Sequence, residues 1–412
     1  MKSTSVVIVG AGHAGVQVAA GLRQRGWQDR IILIDHEAQA PYERPPLSKD
    51  LLKPQAPNES ALLRKEQFYV DKGIERVTGS SVTALDPADG ILTLSNGDSH
   101  PYGRLVLCTG SRARPLTAPG AGLDGVHALR TRDDALAIKR ALVPGARVVI
   151  IGAGYIGLEV AAAAAAAGAQ ATVLEFQDRV MSRVTSEPVS RHFEALHREN
   201  GVSFVFGAAV TALEGTHSVE RVLTSDGSAY AADLVVVGIG VLPRQDLAEA
   251  AGLACSDGIL VNRYGQTSNP HIYAAGDVTR FNGPVDNVSM RLECIQNAVA
   301  QADAVSDHIT GREPGKAEIP WFWTIQHGVR LQTAGVRHPD DEVIIRGDSR
   351  DGRFSVLYVR DGQLAAIDTI NALTDFTPGK KLIAARHRLD PVLAADSALP
   401  LVHAVAAVQP AA

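Results

Sequence analysis

The sequence predicts an α/β protein in which two similar units, each an open parallel sheet with helices against it, precede a smaller α+β domain built on an antiparallel sheet. Three observations carry that prediction. Ser5-Val6-Val7-Ile8-Val9 runs into Gly10-Ala11-Gly12-His13-Ala14-Gly15 and then into a helix-like stretch from Val16 to Arg23. The same grammar returns at Arg147-Val148-Val149-Ile150-Ile151, which runs into Gly152-Ala153-Gly154-Tyr155-Ile156-Gly157 and the alanine run Ala161 to Ala167. In the last hundred residues, by contrast, Phe354 to Val359 and Gln363 to Ile370 alternate around Asp361-Gly362, the pattern of an antiparallel hairpin.

An apolar β-branched strand, a G-x-G-x-x-G turn and a small-residue helix form a dinucleotide-binding unit. In the first copy Gly10 permits the tight turn, Gly12 lets backbone approach a pyrophosphate, and Gly15 lets the helix pack on the strand. The helix N-terminus supplies unpaired N–H groups and the positive end of its dipole. Arg30-Ile31-Ile32-Leu33-Ile34 adds a second strand ending in Asp35, the carboxylate expected about twenty residues on. In the second copy Gln170 to Leu174 ends in Glu175, and Leu234 to Gly240 closes the unit as another buried strand. One such unit fits any dehydrogenase; two fit an enzyme that holds two dinucleotides and passes electrons between them.

Between these units Pro41-Tyr42-Glu43-Arg44-Pro45-Pro46-Leu47-Ser48-Lys49-Asp50 reads as a stiff loop opening into a short helix near Ser48. Asn96-Gly97 marks a hairpin, Leu105 to Cys108 a buried strand ending at Thr109-Gly110, and Pro115 to Pro119 the start of the second unit. Asn269 to Ala275 reads as a short strand delivering Asp277 beside Gly276, followed by a helix from about Glu293 to Ile309. Asp277 suits a ribityl hydroxyl; without the two glycine motifs an ordinary Gly-Asp turn would suit it equally.

At 412 residues, with 40 basic and 45 acidic side chains, the chain has room for two or three domains and no basic excess to suggest nucleic acid. Cys108, Cys255 and Cys294 lie far apart without a C-x-x-C, so neither a disulfide framework, a metal site nor an iron–sulfur cluster is evident, and a reducing cytoplasm is the natural reading. Lys2 before an apolar run imitates a signal peptide, but Gly10-Ala11-Gly12-His13 breaks it. Val148 to Ala169 has the length of a membrane span, yet it contains Glu159 and glycines at turn spacing.

With these residues in view, the chain resembles the FAD-dependent pyridine-nucleotide oxidoreductases of the glutathione reductase fold, and within them the NADH:ferredoxin reductases. The likeness runs over essentially the whole chain. It rests on the two glycine motifs, Tyr42 to Lys49, Glu175, Val180-Met181-Ser182-Arg183, Gly276-Asp277, Pro320-Trp321-Phe322-Trp323 and Lys380-Lys381-Leu382-Ile383; the proline loop and the Trp pair are its specific signals. It implies two Rossmann-like dinucleotide-binding domains plus a C-terminal α+β domain with an antiparallel sheet. The FAD-binding domain would span 1–113 and 245–315, the NADH-binding domain 114–244 and the C-terminal domain 316–412.

The resemblance places FAD against Gly10, Gly12, His13, Ala14 and Gly15, with Asp35 on the adenosine ribose, Arg44 near the pyrophosphate and Asp277 on the ribitol beside Gly276. It adds Val82, Thr109, Gly110, Arg130 and Glu293, with Lys49 close to the flavin ring and Trp321 or Trp323 beside it. NADH would lie on Gly152, Gly154, Tyr155, Ile156, Gly157, Glu159, Glu175, Arg183, Gly238, Ile239 and Gly240. Lys49, Glu159 and Trp321 are its catalytic candidates. A cation near the ring stabilises the charge of the reduced cofactor. Glu175 can accept from ribose hydroxyls and would repel a 2′-phosphate, an effect Arg179 softens if it reaches the same place. From its sequence pattern, Tyr155 is as well suited to a core aromatic as to a nicotinamide contact.

Two departures stand out. The family more often has a hydroxyl where this chain has Cys294, which weakens capping of the following helix. It also tends to carry an acid within the segment written here Thr324-Ile325-Gln326.

The implied reaction takes a hydride from NADH to FAD and sends single electrons to a separate [2Fe-2S] ferredoxin serving an oxygenase of aromatic hydrocarbon catabolism. Arg64, Lys65, Arg291 and Arg330 are docking candidates. Lack of a C-x-x-C near either motif rules against disulfide reduction. The expected protein is cytoplasmic, binds neither nucleic acid nor membrane, and is a monomer or homodimer. Rubredoxin reductase, NADH oxidase or nitrite reductase component are the enzymatic alternatives. An NADH-dependent redox sensor like apoptosis-inducing factor is the non-catalytic one.

Overall fold

In the computed structural model, which describes residues 4–283, 288–316 and 318–406, the Val6–Val9 strand is the centre of the first sheet. It pairs in parallel with Ile31–Ile34 and Arg104–Leu107, and Ile74–Val77 and Ile272–Ala274 complete five parallel strands. Strands apolar on both faces need cover on both. Val6 and Ile8 pack with Val18 and Leu22 of the His13–Gln24 helix and with Ala302 and Val305 of the Ile295–Ile309 helix; Val7 and Val9 pack on the other side with Leu92, Ile259 and Val278.

The chain divides into two compact units. One contains Met1–Glu43, Ala61–Arg112 and Val241–Pro320, the other Arg44–Ser60, Ala113–Gly240 and Trp321–Ala412. In the second, Arg147–Ile151 is the centre of a five-stranded parallel sheet, between Gln170–Glu175 and Leu234–Val237. The repeat read from the sequence is thus a repeat of structure. The Tyr155–Ala166 helix follows its glycine turn as the His13–Gln24 helix follows the first, and its alanines suit close approach to the sheet.

The same unit carries a five-stranded antiparallel sheet in the order Trp321–Gln326, Val329–Gly335, Gln363–Ile370, Arg353–Arg360, Glu342–Asp348. Alternation gives this sheet two faces. Ile367 lies against Gly379 of the Leu373–Ala385 helix, where an added Cβ would come within 2.9 Å of the Ile367 side chain. Asp368, its neighbour, points to the other face and is fully buried. The proline loop forms two single 3-10 turns, Pro45–Ser48 and Asp50–Leu52, in place of one short helix.

A buried polar chain also crosses this unit. His197 of the Glu187–Glu199 helix lies with Nε2 2.8 Å from the Gln326 carbonyl oxygen and Nδ1 3.1 Å from His327 Nε2. An amide oxygen only accepts, so Nε2 carries the His197 proton and Nδ1 accepts from His327. Burial, the dominant cause, brings the His197 pKa from 6.5 down to about 4. Below about pH 6.5 the unfolded chain therefore binds a proton that the folded chain refuses. Stability is whole above that pH and falls as pH drops toward 4, by about 3 kcal/mol at one unit per 1.36 kcal/mol. Thermal melts from pH 7 to pH 4.5 should show His197→Gln losing less than the parent; equal slopes would contradict the assignment.

Candidate active site

Each glycine of the first motif meets a different demand. Gly10 has φ +101° and a Cβ there would fall 2.2 Å from the Cys108 carbonyl oxygen; one on Gly15 would fall 1.9 Å from the Gly10 oxygen. Around Gly12 there is nothing within 4 Å of an added Cβ. Two glycines are close packed and the middle one faces open space at the helix N-terminus. The second motif repeats this. Gly152 has φ +101° with 2.6 Å to the Gly238 oxygen, Gly157 meets the Gly152 oxygen at 2.1 Å, and Gly154 has only the Gly238 oxygen, at 4.0 Å.

The carboxylates are placed alike too. Ala11 N–H donates to Asp35 at 3.1 Å, and Ala153 N–H donates to Glu175 at 2.7 Å, so each strand-end acid is fixed by the central residue of its own G-x-G. Its second oxygen accepts from the backbone two residues on, from Glu37 N–H at 3.3 Å and from Gln177 N–H at 2.8 Å. Burial pulls the Asp35 pKa upward most strongly, but the His36 ring at 3.0 Å and the two N–H donors outweigh it and hold the carboxyl below its ordinary range.

Both glycine helices begin without a side-chain cap. The helix Arg132–Ala141 does not: Thr131 and Asp134 close a full capping box. Uncapped first turns facing open space, with a carboxylate beside them, fit a pyrophosphate and ribose at both places.

Other expected contacts cluster as well. Ala14 approaches Gly276, whose N–H donates to Gln301 at 2.8 Å, and Ser111 donates to Asp277 at 3.3 Å. Thr109 donates to the Arg244 carbonyl at 2.7 Å, which pins the turn at Gly110, where φ is +65°. In the second unit Gly238, Ile239 and Gly240 line the same turn as Gly152, with the Arg183 guanidinium 3.6 Å from the Cβ position of Gly240. Ile156 is exposed at the first turn of its helix. Arg44 donates to the Arg130 carbonyl at 2.8 Å. Val82 lies against the apolar core of the first sheet.

Glu159 is the most constrained of the expected residues. It is 3% exposed, paired with the Lys49 ammonium at 2.8 Å, and accepts from Ser48 and from Thr324, the latter at 2.6 Å. Tyr155, one helical turn earlier, packs its ring on Phe322 at 4.6 Å. The spacing explains the match. A four-residue step on a helix, ~6 Å, is within about 1 Å of two residues of strand, ~6.8 Å, so Tyr155 and Glu159 can meet Phe322 and Thr324 in register. Ser48, Thr324 and Phe322 were not singled out for these roles in the sequence; only the position of Ser48 beside Lys49 hinted at them.

Trp321 and Trp323 project the other way. They lie 5.6 Å apart, with Phe376 and the Lys380 ammonium of the Leu373–Ala385 helix against Trp321. The structure does not bring them to Glu159. Among the docking candidates, Arg64, Lys65 and Arg330 are exposed, whereas Arg291 is 14% exposed and ion-paired with Asp257 and Glu293. Cys294 is the N-cap of its helix and forms no side-chain capping hydrogen bond. Arg179, expected near Glu175, donates to the Thr185 and Ser182 carbonyls and to Ser190 Oγ.

Residues 4–302 match the family described as pyridine nucleotide-disulphide oxidoreductase, and residues 321–405 match the reductase C-terminal family. The chain belongs to the pyridine nucleotide-disulphide oxidoreductases. A ferredoxin–NAD(P)(+) reductase of Sphingomonas sp is 43% identical to it over 389 residues, 94% of each chain. Putidaredoxin reductase of Pseudomonas putida is 40% identical over 409 residues, 98% of this chain and 97% of its own. In the solved covalent complex of putidaredoxin reductase with putidaredoxin, a chain 39% identical superposes with a TM-score of 0.95 over 98% of both. This oxidoreductase has no dithiol: its three cysteines are free, and burial pushes the Cys108 thiol up to about 12. Among the described residues no helix is long and apolar enough to cross a membrane.

Proposed function

We propose that this chain is a flavoprotein reductase that takes a hydride from NADH onto FAD and passes single electrons to a [2Fe-2S] ferredoxin serving an oxygenase. The observation that carries this reading is the duplicated cradle, glycine for glycine and carboxylate for carboxylate, in a chain without a dithiol. Its relatives include the ferredoxin reductase component of a chlorobenzene dioxygenase, 36% identical over 395 residues, which favours an oxygenase as the destination of the electrons.

The first cradle, with Asp35, Gly276 and Asp277, would hold FAD, and the second, with Glu175, NADH. The roles of Arg44, Lys49, Arg130, Trp321 and Trp323 toward FAD, the three-domain division and a cytoplasmic location are part of the same proposal. Bound FAD supplies the chemistry, accepting a hydride and releasing electrons one at a time. The protein's part is positional. Glu159 holds the Lys49 ammonium in one place, and Ser48 and Thr324 fix the carboxylate that does so. A pre-placed cation costs no reorganisation when charge develops near it.

The test is stopped-flow mixing of NADH-reduced protein with a [2Fe-2S] ferredoxin, a rubredoxin and dioxygen. Ferredoxin should be reduced fastest. Faster transfer to rubredoxin would make the protein a rubredoxin reductase, and transfer to no carrier faster than to dioxygen would overturn the reading.

A further inference from the structure

The polar chain that runs through His197 ends on the Lys49–Glu159 pair, and all its hydrogen bonds point the same way. Thr324 and Gln326 stand two residues apart on the Trp321–Gln326 strand and share its buried face. Glu159, Thr324, Gln326 and His197 are 3%, 0%, 1% and 0% exposed, so each must find its partners inside the protein.

The directions follow from counting hydrogens, starting at the ion pair. Glu159 Oε1 lies 2.8 Å from the Lys49 ammonium, which can only donate, so this oxygen is an acceptor and takes the single Thr324 hydrogen at 2.6 Å. The Thr324 oxygen then has only lone pairs for Gln326, 3.2 Å away, so the amide nitrogen faces Thr324 and the amide oxygen faces His197. Burial lowers the pKa of both His197 and His327, leaving one proton on each ring at neutral pH. The His197 proton therefore sits on Nε2, 2.8 Å from the amide oxygen, and Nδ1 accepts from His327 Nε2 at 3.1 Å. From the half-buried His327 inward, each group donates to the next as far as Glu159. Bonds aligned in this manner polarise and strengthen one another.

We infer that Gln326 is a positioning residue: with its amide set by His197, it fixes the Thr324 hydroxyl on Glu159 and so holds the Lys49 ammonium in one place. This rests on the proposed role of Lys49 toward FAD.

The experiment is stopped-flow reduction of the FAD-loaded protein over a range of NADH concentrations, with Gln326→Met, Lys49→Met and the double variant. Gln326→Met keeps the volume and removes both amide hydrogen bonds. Its limiting rate of flavin reduction should fall by about three- to fivefold, while the half-saturating NADH concentration stays within about twofold of the parent's. On the Lys49→Met background the same change should alter the rate by less than about 1.5-fold, because the group being positioned is gone. Nitrogen-15 NMR of the parent protein's histidines should find the His197 proton on Nε2, a reading that needs no variant to fold. A parental limiting rate in Gln326→Met, a full additional loss in the double variant, or a His197 proton on Nδ1 would overturn the inference. If Lys49→Met is itself reduced at the parental rate, the role of Lys49 falls first and this inference with it; a parent that NADH does not reduce would overturn the reductase reading and the inference together.

Discussion

Replacing Glu159 by alanine is expected to cost about 3 to 5 kcal/mol of stability, the range for breaking a buried ion pair from one side. The carboxylate side chain is 1% exposed and its Lys49 partner 20%, so the ammonium cannot turn fully to water when the acid is removed. Ser48 and Thr324 lose their acceptor at the same time, and Gln326, which donates to Thr324 at 3.2 Å, links the defect to His197. Glu159→Gln keeps the volume and one acceptor and should lose about half as much. Urea midpoints would measure both, and flavin reduction by NADH should slow in each because Lys49 is no longer held. A Glu159→Ala midpoint equal to the parent's, with unchanged reduction, would show the cluster to be incidental.

The second large effect concerns coenzyme choice. Glu175→Ala should move the NADPH-to-NADH ratio of kcat/KM toward NADPH by ten- to a hundredfold, corresponding to about 1.4 to 2.8 kcal/mol of relieved repulsion and lost ribose contact. Arg179 will not compensate in the parent, because its guanidinium is spent on Ser182, Thr185 and Ser190. Arg179→Ala should therefore loosen that turn and leave the ratio nearly unchanged. A collapse of NADPH use in Arg179→Ala would mean that the arginine reads the phosphate after all.

Much of this was readable in the sequence because it is local. Strand, glycine turn, helix and strand-end acid lie within about thirty residues; Gly10 and Gly15 have steric reasons that no other side chain satisfies, and Gly12 leaves the helix N-terminus open. The hairpin at Asp361-Gly362 is equally local, and both of those residues take positive φ. What could not be read depends on register between distant strands. Nothing near Glu159 announces Thr324, 165 residues away, and nothing near Tyr155 announces Phe322. The Trp pair was read for its composition, but alternation along Trp321–Gln326 sends Trp321 and Trp323 to one face and Phe322 and Thr324 to the other. Whether Arg179 faces Glu175 was likewise a matter of rotamer and loop path.

The assignment of FAD to the first cradle and NADH to the second is tested most directly by one pair of variants assayed for both cofactors. Gly10→Ala and Gly152→Ala each place a Cβ against a carbonyl oxygen, at 2.2 Å and 2.6 Å, on a backbone whose positive φ disfavours it. Gly10→Ala should purify without bound FAD, colourless and unable to oxidise NADH. Gly152→Ala should purify yellow with a full complement of FAD, yet show at least a tenfold weaker NAD+ affinity. The reverse pattern, or loss of both cofactors together in two folded variants, would contradict the assignment.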